Sequence, residues 1–423
     1  MNMNRVEHKI LYALLLYMPF HYYICELLLP QTSVDNALRD VTIMLLLACS
    51  IAKNGLKVKV DATDMSVAVS MFVLIIFSVF SFLLNSYPAT FNILRTYIIP
   101  MMIYFVTSRM EWSKNEINKI FVLIMIELAA IGTYGFFQAF FLKDDFLVKI
   151  GYPSNQGHLA GYSYYITNFY GFQRTVGTFI SPNICGLILT VGLSIYFFSN
   201  CMHNKQTVLL LMLLIGLITT FSRSSILGFV IAYFITNYCI GGKTHINPNK
   251  IIIGSTIFVI ACVVLAWVDR TYLNGKLMSM ISSSFVSVFE GTDTSAPAHM
   301  KDLIYPLKSI FMHPFGMGFG NNGPMAIDVS KDANLVESSF YLMAYEIGPI
   351  FAFVFFIPYF DVIISTLKNK RRYKFFTPLT VCITFMFTYL LLPNVQTYEA
   401  IFYSFLFIGL YKNKSVKKIY SGY

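Results

Sequence analysis

The sequence contains few charged residues. Asp, Glu, Lys and Arg together make up 12% of its 423 residues, whereas soluble proteins carry roughly 25%. This scarcity excludes an ordinary soluble globular protein, and we expect no separate soluble domain. The net charge of +10 is spread along the chain and is not gathered into one face or tail. It therefore indicates membrane topology and not nucleic-acid binding.

The patterns of disulfide and metal sites are also missing. The seven cysteines lie within or beside apolar runs, and the two long hydrophilic loops contain none, which excludes a disulfide framework. No cluster of His, Cys and carboxylate residues has the spacing of a metal site. We therefore expect a protein that works without a metal or another cofactor.

Long hydrophobic runs dominate what is present. Hydrophobic residues form 56% of the chain, its mean hydropathy is +0.63, and many runs approach the roughly 20 residues that cross a bilayer. They predict an all-α polytopic membrane protein with about twelve transmembrane helices. The runs lie near residues 10–29, 37–52, 65–84, 91–109, 119–142, 183–199, 206–221, 224–240, 250–268, 339–366, 375–392 and 398–411. The first run lacks a small-residue cleavage site, so we predict a retained helix.

The basic residues alternate between the two sides of these predicted helices. One side receives both termini and nearly all lysines and arginines of the connections, with Arg39 and Arg223 on the other side. By the positive-inside rule, both termini are cytoplasmic. Two long loops fall on the periplasmic side, where loops of this length are usually functional. The chain is thus predicted to consist of helices one to five (1–142), a first long loop (143–182), helices six to nine (183–268), a second long loop (269–338), and helices ten to twelve with a cytoplasmic tail (339–423).

The end of the first long loop carries the most informative segment. Ser181 suits a helix N-cap and Pro182 the first helical position, with Asn183 next. A helix N-terminus with free N–H groups close to Arg174 predicts an anion site. The alternative is that Ser-Pro simply starts a helix while Arg174 reaches out to lipid phosphates.

Two further arginines are predicted near the periplasmic surface. Arg223 lies in the short connection between helices seven and eight, and Arg95 lies inside helix four, facing Tyr97 or Tyr104. A cation held among transmembrane helices usually has a partner or an anionic ligand, and guanidinium groups bind phosphate oxygens in bidentate fashion. These two arginines and Arg174 therefore predict a phosphate or pyrophosphate clamp.

The second long loop contains two candidate general bases, His299 and Glu337. Each could accept a proton from a sugar hydroxyl if its surroundings tune it. Both could instead be solvated surface residues, and Glu337 precedes a helix capped by Ser338 or Ser339, where the helix dipole alone favours a carboxylate. The glycine-rich run 316–320 precedes no strand-to-helix unit, so it predicts a tight backbone turn and not a nucleotide-binding loop.

Together these motifs resemble the superfamily of O-antigen polymerases and O-antigen ligases. The resemblance rests on Arg174-x-x-Gly-Thr-Phe-x-x-Pro-Asn183, Ser222-Arg223-Ser224, Ser295-x-x-x-His299, the His-Pro-Phe-Gly-x-Gly-x-Gly run and Glu337-Ser-Ser-Phe-Tyr. These motifs cover about residues 174 to 347, and the first five predicted helices match only in hydrophobic character. Ligases typically carry a His-Asn pair where this chain has Glu337-Ser338, a departure that favours the O-antigen polymerase (Wzy) branch.

The resemblance implies a membrane glycosyltransferase of GT-C-like architecture that needs no metal. Such a polymerase transfers the growing glycan from undecaprenyl pyrophosphate to the non-reducing end of a new lipid-linked repeat unit. Arg174, Arg223 and, as a lesser contributor, Arg95 would bind the pyrophosphate, and Glu337 with His299 would activate or orient the acceptor hydroxyl. The implied partners are the lipid-linked donor and acceptor, the bilayer and a chain-length regulator protein.

Two alternatives come from other reactions or classes. An O-antigen ligase or another lipid-linked glycan transferase would use similar motifs. A polysaccharide-related transporter with twelve transmembrane helices would share the composition and topology, but it would need polar side chains or broken helices at the bilayer midplane, where Glu127 is the best candidate. A purely structural membrane protein would leave the arginine motifs unexplained.

Overall fold

The structure is a computed structural model, and helices form nearly all of the part that it describes. It describes residues 3–24, 33–54, 61–84, 87–142, 146–147, 149–150, 152, 173–199, 207–240, 270, 307, 310–320, 322–323, 336–370 and 374–421. The α-helices in these ranges are α1 (Met3–Tyr17), α2 (Ser33–Asn54), α3 (Ala62–Leu84), α4 (Tyr87–Thr107), α5 (Lys114–Phe137), α6 (Pro182–Phe198), α7 (Thr207–Thr219), α8 (Arg223–Cys239), α9 (Ser339–Ile347), α10 (Pro349–Asn369), α11 (Thr377–Leu391), α12 (Tyr398–Lys412) and α13 (Lys414–Tyr420). Within these ranges no β-strand occurs beyond isolated bridges, which confirms the all-helical class.

Three of these helices are long and apolar enough to cross a membrane, namely Ala62–Leu83, Lys114–Leu142 and Pro349–Asn369. Shorter apolar helices span Pro182–Phe198, Thr207–Thr219 and Thr377–Leu391. Large apolar side chains also point outward, among them Phe72 at 63% and Leu83 at 79% exposure on α3. Exposure of such a surface to water is unfavourable, whereas lipid chains would cover it. These features are typical of a membrane protein.

Helix α12 lies at the centre of the bundle. Every residue from Tyr398 to Tyr411 is buried, and the helix packs on α4, α6, α10 and α11. A helix that is apolar and buried on all sides belongs in a core. At Gly409 the backbone of α12 approaches α4 so closely that a Cβ would lie 3.0 Å from the Tyr104 carbonyl oxygen. The missing side chain therefore permits this contact.

The predicted apolar runs coincide with these helices except in three places. The helix α1 covers only residues 10–17 of the run 10–29, and residues 25–29 lie outside the described residues. The run 250–268 lies outside the described residues. The run 339–366, predicted as one helix, is interrupted at Gly348, which has φ +83° and separates α9 from α10. Glycine tolerates this conformation, and Pro349 suits the first position of the next helix because it has no N–H to leave unbonded.

Candidate functional site

The loop that precedes α6 is fixed on both sides by hydrogen bonds. The Thr175 N–H donates to the Thr219 carbonyl at 3.0 Å, at the end of α7. On the other side, the Gln138 side chain accepts from the Gly177 N–H at 3.0 Å and donates to the Gly177 carbonyl at 3.2 Å. Gly177 has φ +61°, a conformation that most other residues avoid. The loop is thus held against α5 and the α7–α8 hairpin.

This anchoring aims Arg174 at the hairpin and at the start of α6. Its Nε donates to the Thr220 carbonyl at 2.8 Å, and its Nη2 donates to Asn183 Oδ1 at 2.7 Å. Burial and, to a lesser degree, the charge of Arg223 lower the pKa of Arg174 to about 10. The group still carries a full charge at neutral pH. Arg174 thus contacts the hairpin three residues before Arg223.

Helix α6 begins where the sequence predicted. Ser181 is the N-cap and its Oγ accepts from the Ile184 N–H at 3.3 Å, with Pro182 at the first helical position. Gly186, one turn further, lies so close to the hairpin that a Cβ there would be 2.8 Å from the Cβ of Ser222. The predicted helix start is confirmed, and its first turn packs directly on the hairpin.

The α7–α8 hairpin is a tight turn stabilised by its own hydroxyls. Phe221 has φ +50°, and the Ser222 N–H donates to Thr220 Oγ1 at 3.2 Å. The Ser225 Oγ lies 2.8 Å from Ser222 Oγ and 3.4 Å from the Asn183 carbonyl. Arg223 is the first residue of α8 and is exposed. We call Arg174, Asn183 and Arg223 the arginine site: one half-buried and one exposed guanidinium beside a helix N-terminus.

Arg95 lies in a different environment from the one predicted. Its Nε is 3.3 Å from Oδ2 of Asp40 on α2, whose Oδ1 is also 3.3 Å from Nε of Arg39. The Tyr398 hydroxyl donates to Asp40 Oδ1 at 3.0 Å, and the Arg39 guanidinium stacks on the Tyr398 ring at 3.3 Å. The expectation that Arg95 faces Tyr97 or Tyr104 was wrong, because α2 supplies an acidic partner. The sequence signal was the adjacent charges Arg39-Asp40 inside an apolar stretch.

Glu337 is buried, with 6% of its surface exposed, which argues against a solvated surface residue. It immediately precedes α9, whose N-cap is Ser338. The Ser338 hydroxyl does not cap the helix but donates to the Tyr389 carbonyl at 3.3 Å, while the Ser339 hydroxyl donates to the Leu392 carbonyl at 2.6 Å. These two bonds fix the start of α9, and with it the backbone that follows Glu337, against the end of α11. The second candidate base, His299, lies outside the described residues.

The glycine-rich run makes a tight turn, as predicted. Gly316, Gly318 and Gly320 all have positive φ, and the Gly318 N–H donates to the Glu346 carbonyl at 3.0 Å. The buried Glu346 carboxylate accepts in turn from Tyr97 at 2.9 Å and from the side chain at position 396 at 2.8 Å. The sequence analysis missed this network, because a glutamate within an apolar helix reveals its partners only once the helices are packed.

The side chains of the arginine site are suited to binding an anion. The guanidinium groups of Arg174 and Arg223, beside the positive end of a helix dipole, can stabilise negative charge on oxygen. In the described ranges, no three His, Cys, Asp or Glu side chains are placed to hold a metal ion. Comparisons with models of protein families and with characterised proteins found no match to this chain.

Proposed function

We propose that this chain is a multi-pass protein of the bacterial inner membrane with about twelve transmembrane helices and both termini in the cytoplasm. The alternation of Lys and Arg supports this orientation. The three long apolar helices and the outward-facing apolar side chains of α3 support the membrane location. The arginine site then faces the periplasm, the side on which the reaction proposed below takes place.

We propose further that the protein polymerises oligosaccharide repeat units carried on undecaprenyl pyrophosphate, as in O-antigen synthesis. The observation that carries this proposal is Arg174, which donates to Asn183 at the start of α6 and to the Thr220 carbonyl in the hairpin, three residues before Arg223. Two guanidinium groups on neighbouring segments beside a helix start suit an anionic ligand that bridges them. A pyrophosphate ester has the charge and the number of oxygens to do so.

The reaction then divides between two groups of residues. The hydroxyl oxygen at the non-reducing end of the acceptor attacks the anomeric carbon of the donor glycan, and the bond from that carbon to the pyrophosphate oxygen breaks. Arg174 and Arg223 stabilise the charge that develops on the departing undecaprenyl pyrophosphate. A carboxylate or imidazole takes the hydroxyl proton, and Glu337 and His299 are the candidates. Arg95, already paired with Asp40, would act only by adding positive potential.

One observation favours a second candidate, a transporter. Glu127 is buried within α5, and neither of its carboxylate oxygens has a hydrogen-bond partner among the described residues. Buried carboxylates inside membrane helices often carry protons or ions. Replacing Glu127 by Gln would stop such transport while leaving a glycosyltransferase reaction at the arginine site unchanged. An O-antigen ligase remains the nearest alternative among enzymes.

A deletion strain tests the proposal. Its surface glycan, separated as a ladder on a gel, should show lipid A core carrying a single repeat unit and no longer chains. A gel with no repeat unit on the core would instead indicate a ligase or an earlier step. A strain that accumulates undecaprenyl-linked repeats on the cytoplasmic side would indicate a transporter.

A further inference from the structure

A basic cleft lies at the other end of the bundle, where α10, α12 and α13 meet. Its volume is about 360 Å³, and it is lined by Ser365, Asn369, Tyr411, Lys412, Lys417, Lys418 and Ser421. All the charged lining residues are lysines. Such a cleft concentrates anions, and nothing in the proposed sugar transfer uses it.

The short helix α13 presents two of these lysines on one side. Its buried side is anchored by Val416 and by Tyr420, whose ring stacks on Phe375 with centroids 4.5 Å apart. The Oδ1 of Asn413 caps the helix by accepting the N–H groups of residues 415 and 416. Lys417 and Lys418 lie on the exposed side. This arrangement is typical of a short amphipathic helix at a membrane surface.

The third lysine has acidic partners. The Nζ of Lys412 pairs with Asp361, and with Asp61 Oδ2 at 3.4 Å. These carboxylates balance its charge and tie α12 to α10 and to the start of α3. Lys417 and Lys418 are the exposed lysines of the cleft, and two lysines suit a single phosphodiester.

The neighbouring surface of α10 is apolar. Ile350 and Phe353 in its first turns are 68% and 61% exposed, and Ile364 and Leu367, close to the cleft, are 47% and 39% exposed. Hydrocarbon chains would cover this surface. A ligand that fits both features has an anionic head and an apolar tail.

We propose that the cleft binds the phosphate headgroup of an anionic phospholipid, with Lys417 and Lys418 contacting the phosphate and the acyl chains lying along α10. In the orientation proposed above, the cleft lies next to membrane helices on the cytoplasmic side, where a basic pocket suits this ligand. The lipid would fix α13 and hence the end of the central helix α12. This binding does not depend on the reaction proposed for the arginine site.

The test uses the full chain purified in a neutral detergent and titrated with phosphatidylglycerol or phosphatidylcholine. Native mass spectrometry measures the bound lipid, and the thermal midpoint gives a second readout. We expect phosphatidylglycerol to bind and to raise the midpoint, and phosphatidylcholine to do neither. The double variant Lys417→Gln/Lys418→Gln should bind phosphatidylglycerol about 30-fold more weakly, since each such lysine contributes about 1 kcal/mol.

A matched control removes the same charge elsewhere. Lys114 and Lys119 are exposed on α5 and lie outside the cleft, so Lys114→Gln/Lys119→Gln should bind phosphatidylglycerol like the unaltered protein. Equal binding by the cleft variant would overturn the proposal. If millimolar inorganic phosphate raised the thermal midpoint as much as phosphatidylglycerol does, the cleft would be a site for soluble phosphate. That result would also overturn the proposal.

A further measurement does not depend on the folding of any variant. A photoactivatable phosphatidylglycerol, incubated with the unaltered protein, should label the peptide that contains residues 411–421. Labelling of other segments alone would contradict a headgroup site in this cleft.

Discussion

The Nη2 of Arg174 donates to the Oδ1 of Asn183 at 2.7 Å, and this bond joins the loop before α6 to the first turn of that helix. Its consequence is geometric. The guanidinium has a planar fork of donors, so fixing one nitrogen on Asn183 and another on Thr220 sets the direction of the remaining donors. The arginine site is thereby organised before any ligand binds.

Removing the amide of Asn183 should weaken polymerisation without unfolding the protein. A hydrogen bond to a charged group contributes about 1.5–3 kcal/mol, so Asn183→Ala should reduce the rate about 10- to 100-fold. Asn183→Asp should reduce it further, because its carboxylate would pair with Arg174 and cancel the charge that binds phosphate. The rate of glycan extension by purified protein measures both effects. Wild-type activity in Asn183→Asp would show that the site does not bind an anion.

Arg174→Ala and Arg223→Ala should each abolish polymer in cells and lower the rate about 100- to 1,000-fold in the purified system, because a fixed donor to a developing negative charge is lost. Lysine at either residue should rescue only part of the rate, since a point charge replaces a bidentate fork. Lys119→Ala, which removes an exposed cation from α5, is the control and should change nothing. Full activity of the lysine variants would mean that charge alone suffices.

Some of this arrangement was predictable from the sequence and some was not. The start of α6 follows from local rules, since Ser181 and Pro182 act within one turn of the chain. The contacts of Arg174 do not, because one acceptor is a backbone carbonyl 46 residues away and no residue type marks it. The partner of Arg95 depends in the same way on how α2 packs against α4.

The sequence contains a signal for the break between α9 and α10 that an analysis of hydropathy does not detect. Gly348-Pro349 is a dipeptide that typically ends one element and starts another, yet the apolar run continues across it. Hydropathy alone merges two helices whenever no polar residue separates them. The helices themselves were predictable because length and apolar composition suffice for a membrane segment.

Membrane topology is predicted to place both long loops in the periplasm. Alkaline phosphatase folds only after export, so fusions near residues 160 and 300 should be active, and fusions near residues 205 and 371 should be inactive. Colony colour and enzyme units, corrected for protein level, give the result. Inactive fusions at both 160 and 300 would reverse the orientation and remove the periplasmic reaction.

The close contact of α5 with α7 should tolerate no added side chain. A Cβ on Gly216 would lie 2.5 Å from the Cα of Gly132, and such overpacking costs typically 1–3 kcal/mol. Gly216→Ala should therefore lower the thermal midpoint in detergent. Val208→Ala, on the same helix with 64% exposure, is the control and should shift stability by less than about 0.5 kcal/mol. An unchanged midpoint in Gly216→Ala would mean that α5 and α7 can move apart without loss of stability.

Glu337 is predicted to take the proton of the acceptor hydroxyl or to orient that hydroxyl. Glu337→Gln keeps the size of the side chain and most of its hydrogen bonding but cannot accept a proton. Because the residue is buried next to the end of α11, this conservative change separates the basic function from packing. Transfer should fall strongly while the lipid-linked donor still binds.

Purified protein with defined lipid-linked repeat units separates the two candidate bases. A dead Glu337→Gln with an active His299→Ala assigns the base to Glu337. The reverse pattern assigns it to His299 and leaves Glu337 as a buried structural residue before α9. Activity in both variants would exclude both, and the proton would then pass to solvent or to the donor phosphate. Binding of the donor, measured in the same preparations, distinguishes a lost base from a lost fold, because a folded arginine site retains the pyrophosphate.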